Sequence, residues 1–202
     1  MNDQTPRQVL SKFYTDNHLD QDGGNSKSFV KIEAAPKFHF YIPNSDPRRK
    51  AVPIHDVHHI ISGYKTTFKG ECEISAWEIG SGCKKYWFAL LIDTSGVMLG
   101  IPLYFKSVLR AYARGRRTKN LYSNSPVLET AMDMKISDLQ KKMLLDQHPY
   151  ETKANFVDVL SLAGFSIFGL TYSIFSLATL PLVILYSVYI GLFVDKPKDQ
   201  LV

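Results

Sequence analysis

The sequence predicts a mainly α-helical protein, with a compact helical domain followed by a C-terminal hydrophobic transmembrane segment. Three observations carry this expectation. The 36 residues from Val159 to Val194 contain no Asp, Glu, Lys, Arg or His, which exceeds the roughly 20 residues an α-helix needs to cross a bilayer core. Most of the remaining apolar residues recur at helical spacing between breaks rich in Gly, Pro, Asn and Ser. At 202 residues the chain is long enough for one domain with its own core.

Taken in order, residues 1–44 read as a polar N-terminal segment, partly flexible through DQDGGNSKS. Within it, Phe29 to Pro43 alternates partially and suggests extended chain, although Pro36 argues against one unbroken strand. Asn44 to Lys50 reads as a turn-rich loop. Residues 45–154 form the expected helical domain. Pro53 suits the first turn of a helix that continues through Ile54, Val57, Ile60 and Ile61 and stops at Gly63. A second helix starts near Gly70, with Ile74, Trp77 and Ile79 on its apolar side; Trp77 reads as packing and Glu78 as surface. Residues 86–113, interrupted by Gly96, Gly100 and Pro102, read as two buried helices, and residues 127–145 as one amphipathic helix. Residues 155–195 are the hydrophobic membrane segment, with a kink at Pro181. One span from about Leu170 to Phe193, preceded by a separate buried or interfacial helix, is expected, with two short spans in a hairpin as the alternative. A polar tail, 196–202, closes the chain.

Charge and cysteine content narrow the function classes. The net charge of +5 accompanies a bilayer segment and no nucleic-acid motif, so a membrane surface is the expected partner and nucleic acid is not. Cys72 and Cys83 make neither a CxxC pair nor a disulfide framework, which suits a reducing, cytosol-facing domain. The first residues lack the apolar core of a cleaved signal peptide. Arg114, Arg116, Arg117 and Lys119 form a basic run that would contact lipid phosphates, at about 1 kcal/mol per charge, or stay solvated. Either reading puts the domain on the cytoplasmic face.

Three of the six histidines, His55, His58 and His59, fall within five residues. On a helix His55 and His59 differ by about 400°, so both imidazoles leave one face a turn apart and can reach one ion. Asp56 lies about 100° round, near enough to ligate the ion or to orient a ligand. His58 points to the other side and is the weaker candidate. Glu71, just after the break at Gly70, can complete the set from a facing helix. His55, Asp56, His59 and Glu71 are therefore the candidate metal and catalytic residues. Two nitrogen and two oxygen donors suit a divalent metal, zinc or iron, with room for a water or a substrate oxygen, and composition does not choose between the two. Cys72 follows Glu71 but turns about 100° away, as a small core residue would.

The segment HDVHHIISGYKTTFKGE (55–71) resembles the signature of the coenzyme Q biosynthesis protein four family, HDxxH followed by eleven residues and Glu. The likeness continues through GYKTTFKGECEISAWE and RGRRTKNL and covers roughly residues 45 to 145. It implies a helical protein that holds a divalent metal at His55, Asp56, His59 and Glu71 and covers a polyprenyl lipid with apolar helices. It also implies a metal-dependent lyase or decarboxylase of ubiquinone biosynthesis, replacing the C1 carboxylate of a polyprenyl-benzoate precursor with a hydroxyl. The alternative within the resemblance is a non-catalytic lipid-binding scaffold that organises other quinone-biosynthesis enzymes. A homodimer is compatible with either. The C-terminal hydrophobic segment departs from common members of that family.

Overall fold

The computed structural model describes residues 4–35, 38–83, 86–124 and 126–194. Among them the chain is mainly α-helical, with seven helices and one two-stranded hairpin. The anticipated polar tail, 196–202, lies outside the described residues.

The segment expected to be a flexible lead-in begins with a helix, α1 (Pro6–Asp16). Thr5 and Gln8 form a reciprocal capping box, and Pro6 occupies the first turn. Tyr14 on its inner side is buried. The partly alternating stretch forms two antiparallel strands, β1 (Phe29–Ala35) and β2 (Phe38–Pro43), paired from Phe29↔Pro43 to Ala35↔Phe38.

Helix α2 (Asp46–Ser62) starts seven residues before Pro53, so Asn44 to Lys50 is largely helical rather than a loop. Pro47 is the proline that sits in the first turn; Pro53 lies inside, where its missing N–H removes one ladder bond. Gly63 ends α2 in the left-handed region, at φ +81°, a conformation that favours glycine. Helix α3 (Phe68–Ser81) is capped by the Thr67 side chain accepting from the Gly70 N–H.

The long apolar stretch is one element, α4 (Trp87–Gly115), with a break in helical geometry at Tyr104 (φ −138°, ψ 37°) just after Pro102. Its two halves are not both buried. Val97 and Val108 are fully buried, whereas Ile92, Leu99 and Leu103 share an exposed stripe. Helices α3 and α4 pack closely because glycines face backbone at the crossing. A Cβ on Gly80 would lie 2.4 Å from Tyr112 O, and one on Gly115 would lie 2.3 Å from Trp77 O.

The single helix expected at 127–145 is two short ones, α5 (Leu128–Asp133) and α6 (Ile136–Lys142). Met134 and Lys135 between them take extended backbone angles. The three arginines of the basic run are tied into the protein by hydrogen bonds, while Arg116 and Lys119 remain exposed to solvent. Arg114 is buried and donates to His148 O and Ser62 O, and Arg116 and Arg117 both bond the buried Asp158 carboxylate.

Asp158 stands in the first turn of α7 (Phe156–Tyr189), which passes Pro181 and runs on as a π-helical turn over Ile190–Val194. The helix is apolar and long enough to cross a membrane. It touches the domain at three levels. Asp158 meets the arginines, Gly169 meets Met98, and Ser187 Oγ accepts from Tyr41 N–H and donates to Tyr41 O, each at 3.1 Å. Between these levels Ile167, Ile174, Phe175, Leu177 and Leu182 are exposed.

Candidate metal centre

Helix α2 supplies two imidazoles, and the turn at Gly63–Thr67 returns the chain so that the first turn of α3 faces them. That turn is tight: a Cβ on Gly70 would lie 1.9 Å from Lys65 O, so only glycine allows it. The separations among the three facing donors are short and similar. His55 Nε2 lies 3.1 Å from His59 Nε2 and 3.4 Å from Glu71 Oε2, and His59 Nε2 lies 3.3 Å from Glu71 Oε1.

Hydrogen bonds at the far side of each ring fix which nitrogen is turned inward. His59 Nδ1 lies 2.9 Å from Tyr64 O, a pure acceptor, so Nδ1 carries the proton. His55 Nδ1 lies 3.1 Å from both oxygens of Glu78, which likewise calls for a donor there. Two Nε2 atoms and a carboxylate therefore converge on one point. Three acceptors in that arrangement need a cation among them, either a proton on one ring or a metal ion. Tetrahedral bonds of 2.0–2.1 Å to such donors set them about 3.3 Å apart, which the three observed distances bracket. Three protein donors with a fourth position open is also the usual pattern of catalytic metal sites.

Of the four residues picked from the sequence, the structure thus brings His55, His59 and Glu71 together. Asp56 is outside that group. It is buried, and its Oδ2 accepts from Tyr14 OH at 2.9 Å, which joins α1 to the centre from behind. His58 is buried and not a donor to the ion: Leu121 N–H donates to its Nε2 and its Nδ1 donates to Glu78. Cys72 is buried, against Gly100.

The residue that sequence reasoning missed is Glu78, read as surface but fully buried. It lies seven positions after Glu71, two turns along the same face of α3, and that interval was the available signal. Its carboxylate serves His55 and His58 together. Asp93 of α4 stands beyond it, close enough for His55, Glu78 and Asp93 to form a second His–carboxylate group. Since His55 Nδ1 and His58 Nδ1 already donate into Glu78, this group is an outer support for the centre rather than another ion position.

Electrostatics agree with the tautomers. Burial disfavours charge on both acids, but the imidazoles of His55 and His59 hold the Glu71 carboxyl down at about 2. The His55 and His58 imidazoles do the same for Glu78, which stays ionised. Burial also opposes charge on His55, yet Glu78 and Glu71 outweigh it and raise its pKa well above 6.5. Burial pushes the Asp93 carboxyl up, and the neighbouring Glu78 charge adds to this.

No family model, curated protein or solved structure matches the chain.

Proposed function

We propose that this protein is a membrane-attached, metal-dependent enzyme of ubiquinone biosynthesis that carries out the oxidative decarboxylation of a polyprenyl-benzoate precursor. The observation that supports it most is the convergence of His55 Nε2, His59 Nε2 and Glu71 at metal-ligand spacing, on the residues that carry the sequence resemblance. Zinc fits a His₂Glu set with an open position, and iron is the second choice. A bound divalent ion would act as a Lewis acid on the carboxylate or the adjacent phenolic oxygen, favouring loss of CO₂.

The chain's own residues have separable tasks. His55, His59 and Glu71 hold the ion. Glu78 and the Tyr64 carbonyl keep both rings turned with Nε2 inward. Asp56, anchored by Tyr14, adds negative charge beside the rings. The exposed apolar stripe Ile92, Leu99 and Leu103 on α4 offers cover for an isoprenoid chain, and α7 keeps the protein at the bilayer where such a lipid resides. The hydroxyl that replaces the carboxylate would take its oxygen from dioxygen, whose second atom leaves as water with two electrons and two protons from an external reductant, while the carboxyl carbon leaves as CO₂. We further assign the metal-bearing domain to the cytoplasmic side, with other quinone-biosynthesis enzymes as its neighbours.

A second reading, a lipid-binding scaffold with a structural ion, is favoured by the partial burial of the centre, since His59 is 4% exposed. The deciding experiment is a lipid profile by mass spectrometry in a strain lacking the protein, complemented with wild type or Glu71→Ala. Accumulation of a ring-carboxylated precursor that only wild type clears supports the enzyme. Clearance by both proteins rejects a catalytic role for the ion, and an unchanged quinone pool rejects the pathway.

A further inference from the structure

Next to the metal centre lies a cavity of about 650 Å³ between the N-terminal segment and α2, lined among others by Asn17, Gly24, Lys27, Arg48, Asp56 and Thr66. Its volume falls in the range of small-molecule sites. What distinguishes it is Arg48. The residue is 8% exposed, and among the described residues its guanidinium makes one hydrogen bond, from Nη1 to Asn44 Oδ1 at 2.9 Å. Among the described residues no carboxylate lies within ion-pairing distance of it, although Asp20 Oδ2 faces the same wall, 3.8 Å from the Gly24 Cβ position. Its Nη2 is directed toward Gly24, where a Cβ would lie 3.9 Å away, on the cavity wall.

Removing a guanidinium from water is unfavourable unless an anion or a full set of acceptors replaces the hydration. Other arginines of this protein show that solution. Arg7, Arg110, Arg116 and Arg117 all meet carboxylates, although each is more exposed than Arg48. The neutral Asn44 amide alone leaves the other guanidinium donors of Arg48, a residue of the cavity wall, without a protein acceptor among the described residues.

We infer that this cavity is a binding site for a small organic carboxylate, held by the Arg48 guanidinium. A planar fork of N–H donors matches a carboxylate in two parallel bonds. Inorganic phosphate matches the fork too, but the surrounding charge selects against it. Asp56 lines the same cavity, and Lys27 is already paired with Asp20 at 2.6 Å. Asp56 already offsets Arg48 at longer range, so each further ligand charge is repelled by that acidic wall, and a dianion meets twice the repulsion of a monoanion. The site is distinct from the metal centre but adjoins it, since Asp56 follows His55 in the chain. It goes beyond the proposed reaction and holds whether or not an ion occupies the His55–His59–Glu71 group.

The test is isothermal titration of the full-length, detergent-solubilised protein with benzoate and, separately, with inorganic phosphate, in the presence of EDTA. Saturable benzoate binding is expected for wild type and for Glu71→Gln, with at least a tenfold loss in Arg48→Gln. Val52→Phe, which fills the cavity from α2 and leaves the guanidinium in place, should lose binding as well; it guards against Arg48→Gln simply failing to fold. Benzoate binding that needs the metal, or that persists in both Arg48→Gln and Val52→Phe, overturns the inference. So does binding of phosphate in preference to benzoate, or of neither. Loss of metal binding in Glu71→Gln with benzoate binding intact separates this site from the fate of the proposed function.

Discussion

His55 and Glu78 meet through both carboxylate oxygens, each 3.1 Å from Nδ1, so the orientation of a ring at the candidate metal centre is set by a residue two turns away from Glu71. The same carboxylate takes the Nδ1–H of His58, whose Nε2 is occupied by the Leu121 N–H. One buried acid therefore ties α2, α3 and the segment after α4 to the centre. Glu78→Gln keeps the shape but presents an amide that cannot accept from both rings through both atoms. Apparent metal affinity should fall about 10–100-fold, as for other outer partners of metal-bound histidine. Competition with a chromophoric chelator measures this; an unchanged affinity would reduce Glu78 to packing.

Metal should stabilise the fold through the same three donors. With free zinc at about 100 times its Kd, the folded state gains about 2.7 kcal/mol. That appears as a rise in Tm that grows with metal concentration. Glu71→Ala should fold yet lose most of this rise, and EDTA should abolish the rise in wild type. Differential scanning calorimetry with and without zinc tests all three, and equal metal responses in wild type and Glu71→Ala would remove Glu71 from the site.

Proton and metal compete for one atom. The folded pKa of His55 lies well above its unfolded value of 6.5. Its charge thus contributes stability that is fully present below 6.5 and is lost as pH rises through the folded pKa. The proton lost there sits on Nε2, because Nδ1–H remains bound to Glu78. Metal-free protein should lose stability across that rise, while apparent metal affinity increases because the ion no longer displaces a proton. At the acid end, Glu71 works in the opposite sense. Its pKa is held at about 2 against 4.5 unfolded, so its contribution is present above 4.5 and disappears as pH falls toward 2. Chemical denaturation of the metal-free protein across this range, with chelator-competition affinities beside it, gives both slopes. A metal affinity independent of pH between 6 and 8 would contradict the assigned His55 state.

Much of this centre was legible because its parts are local. The four-residue spacing of His55 and His59 follows from the helical turn, and Gly63 and Gly70 mark the reversal that brings Glu71 back. The stop of α2 and the apolar run of α7 were legible for the same reason, since each depends on residues close in sequence. Glu78 was not, because a Glu in the last turn of a helix looks like surface until α4 covers it. Asp56 shows the limit of angular reasoning: its direction was right for either role, but only the approach of Tyr14 from α1 decides what it touches. The start of α2 was misplaced because two prolines compete for the first turn, and Pro47 wins. The arginines of the basic run were misread because their partner, Asp158, stands more than forty residues later.

The α3–α4 crossing should be intolerant of any side chain. Gly80→Ala or Gly115→Ala places a methyl within 2.4 Å of a backbone oxygen on the other helix, and neither atom can move without shifting its helix. Each substitution should cost about 1–3 kcal/mol or more. Because α3 carries Glu71 and Glu78, metal affinity should fall along with stability. Gly164→Ala, where no atom lies within 4 Å of the added carbon, is the control and should be neutral. Parallel Tm and chelator-competition measurements on the three variants test this, and a stable Gly80→Ala protein with normal metal affinity would rule out the close crossing.

Asp158 should decide how firmly α7 is held to the domain. Its carboxylate is 3% exposed, takes bonds from Arg116 and Arg117, and closes the α7 capping box through the Asn155 N–H. Asp158→Ala removes all three and leaves two cations facing each other. The expected loss is about 2–3 kcal/mol, less than for a fully buried pair because both guanidinium groups keep contact with water. The loss should be local: residues 149–155, between the domain and α7, become more sensitive to protease, while Tyr112 OH and Ser161 Oγ, now 2.8 Å apart, lose their contact. Limited proteolysis in detergent micelles, read by mass spectrometry, locates the cuts. Unchanged protection of 149–155 in Asp158→Ala would mean that the apolar contacts further along, at Gly169 and Met98, hold the helix unaided.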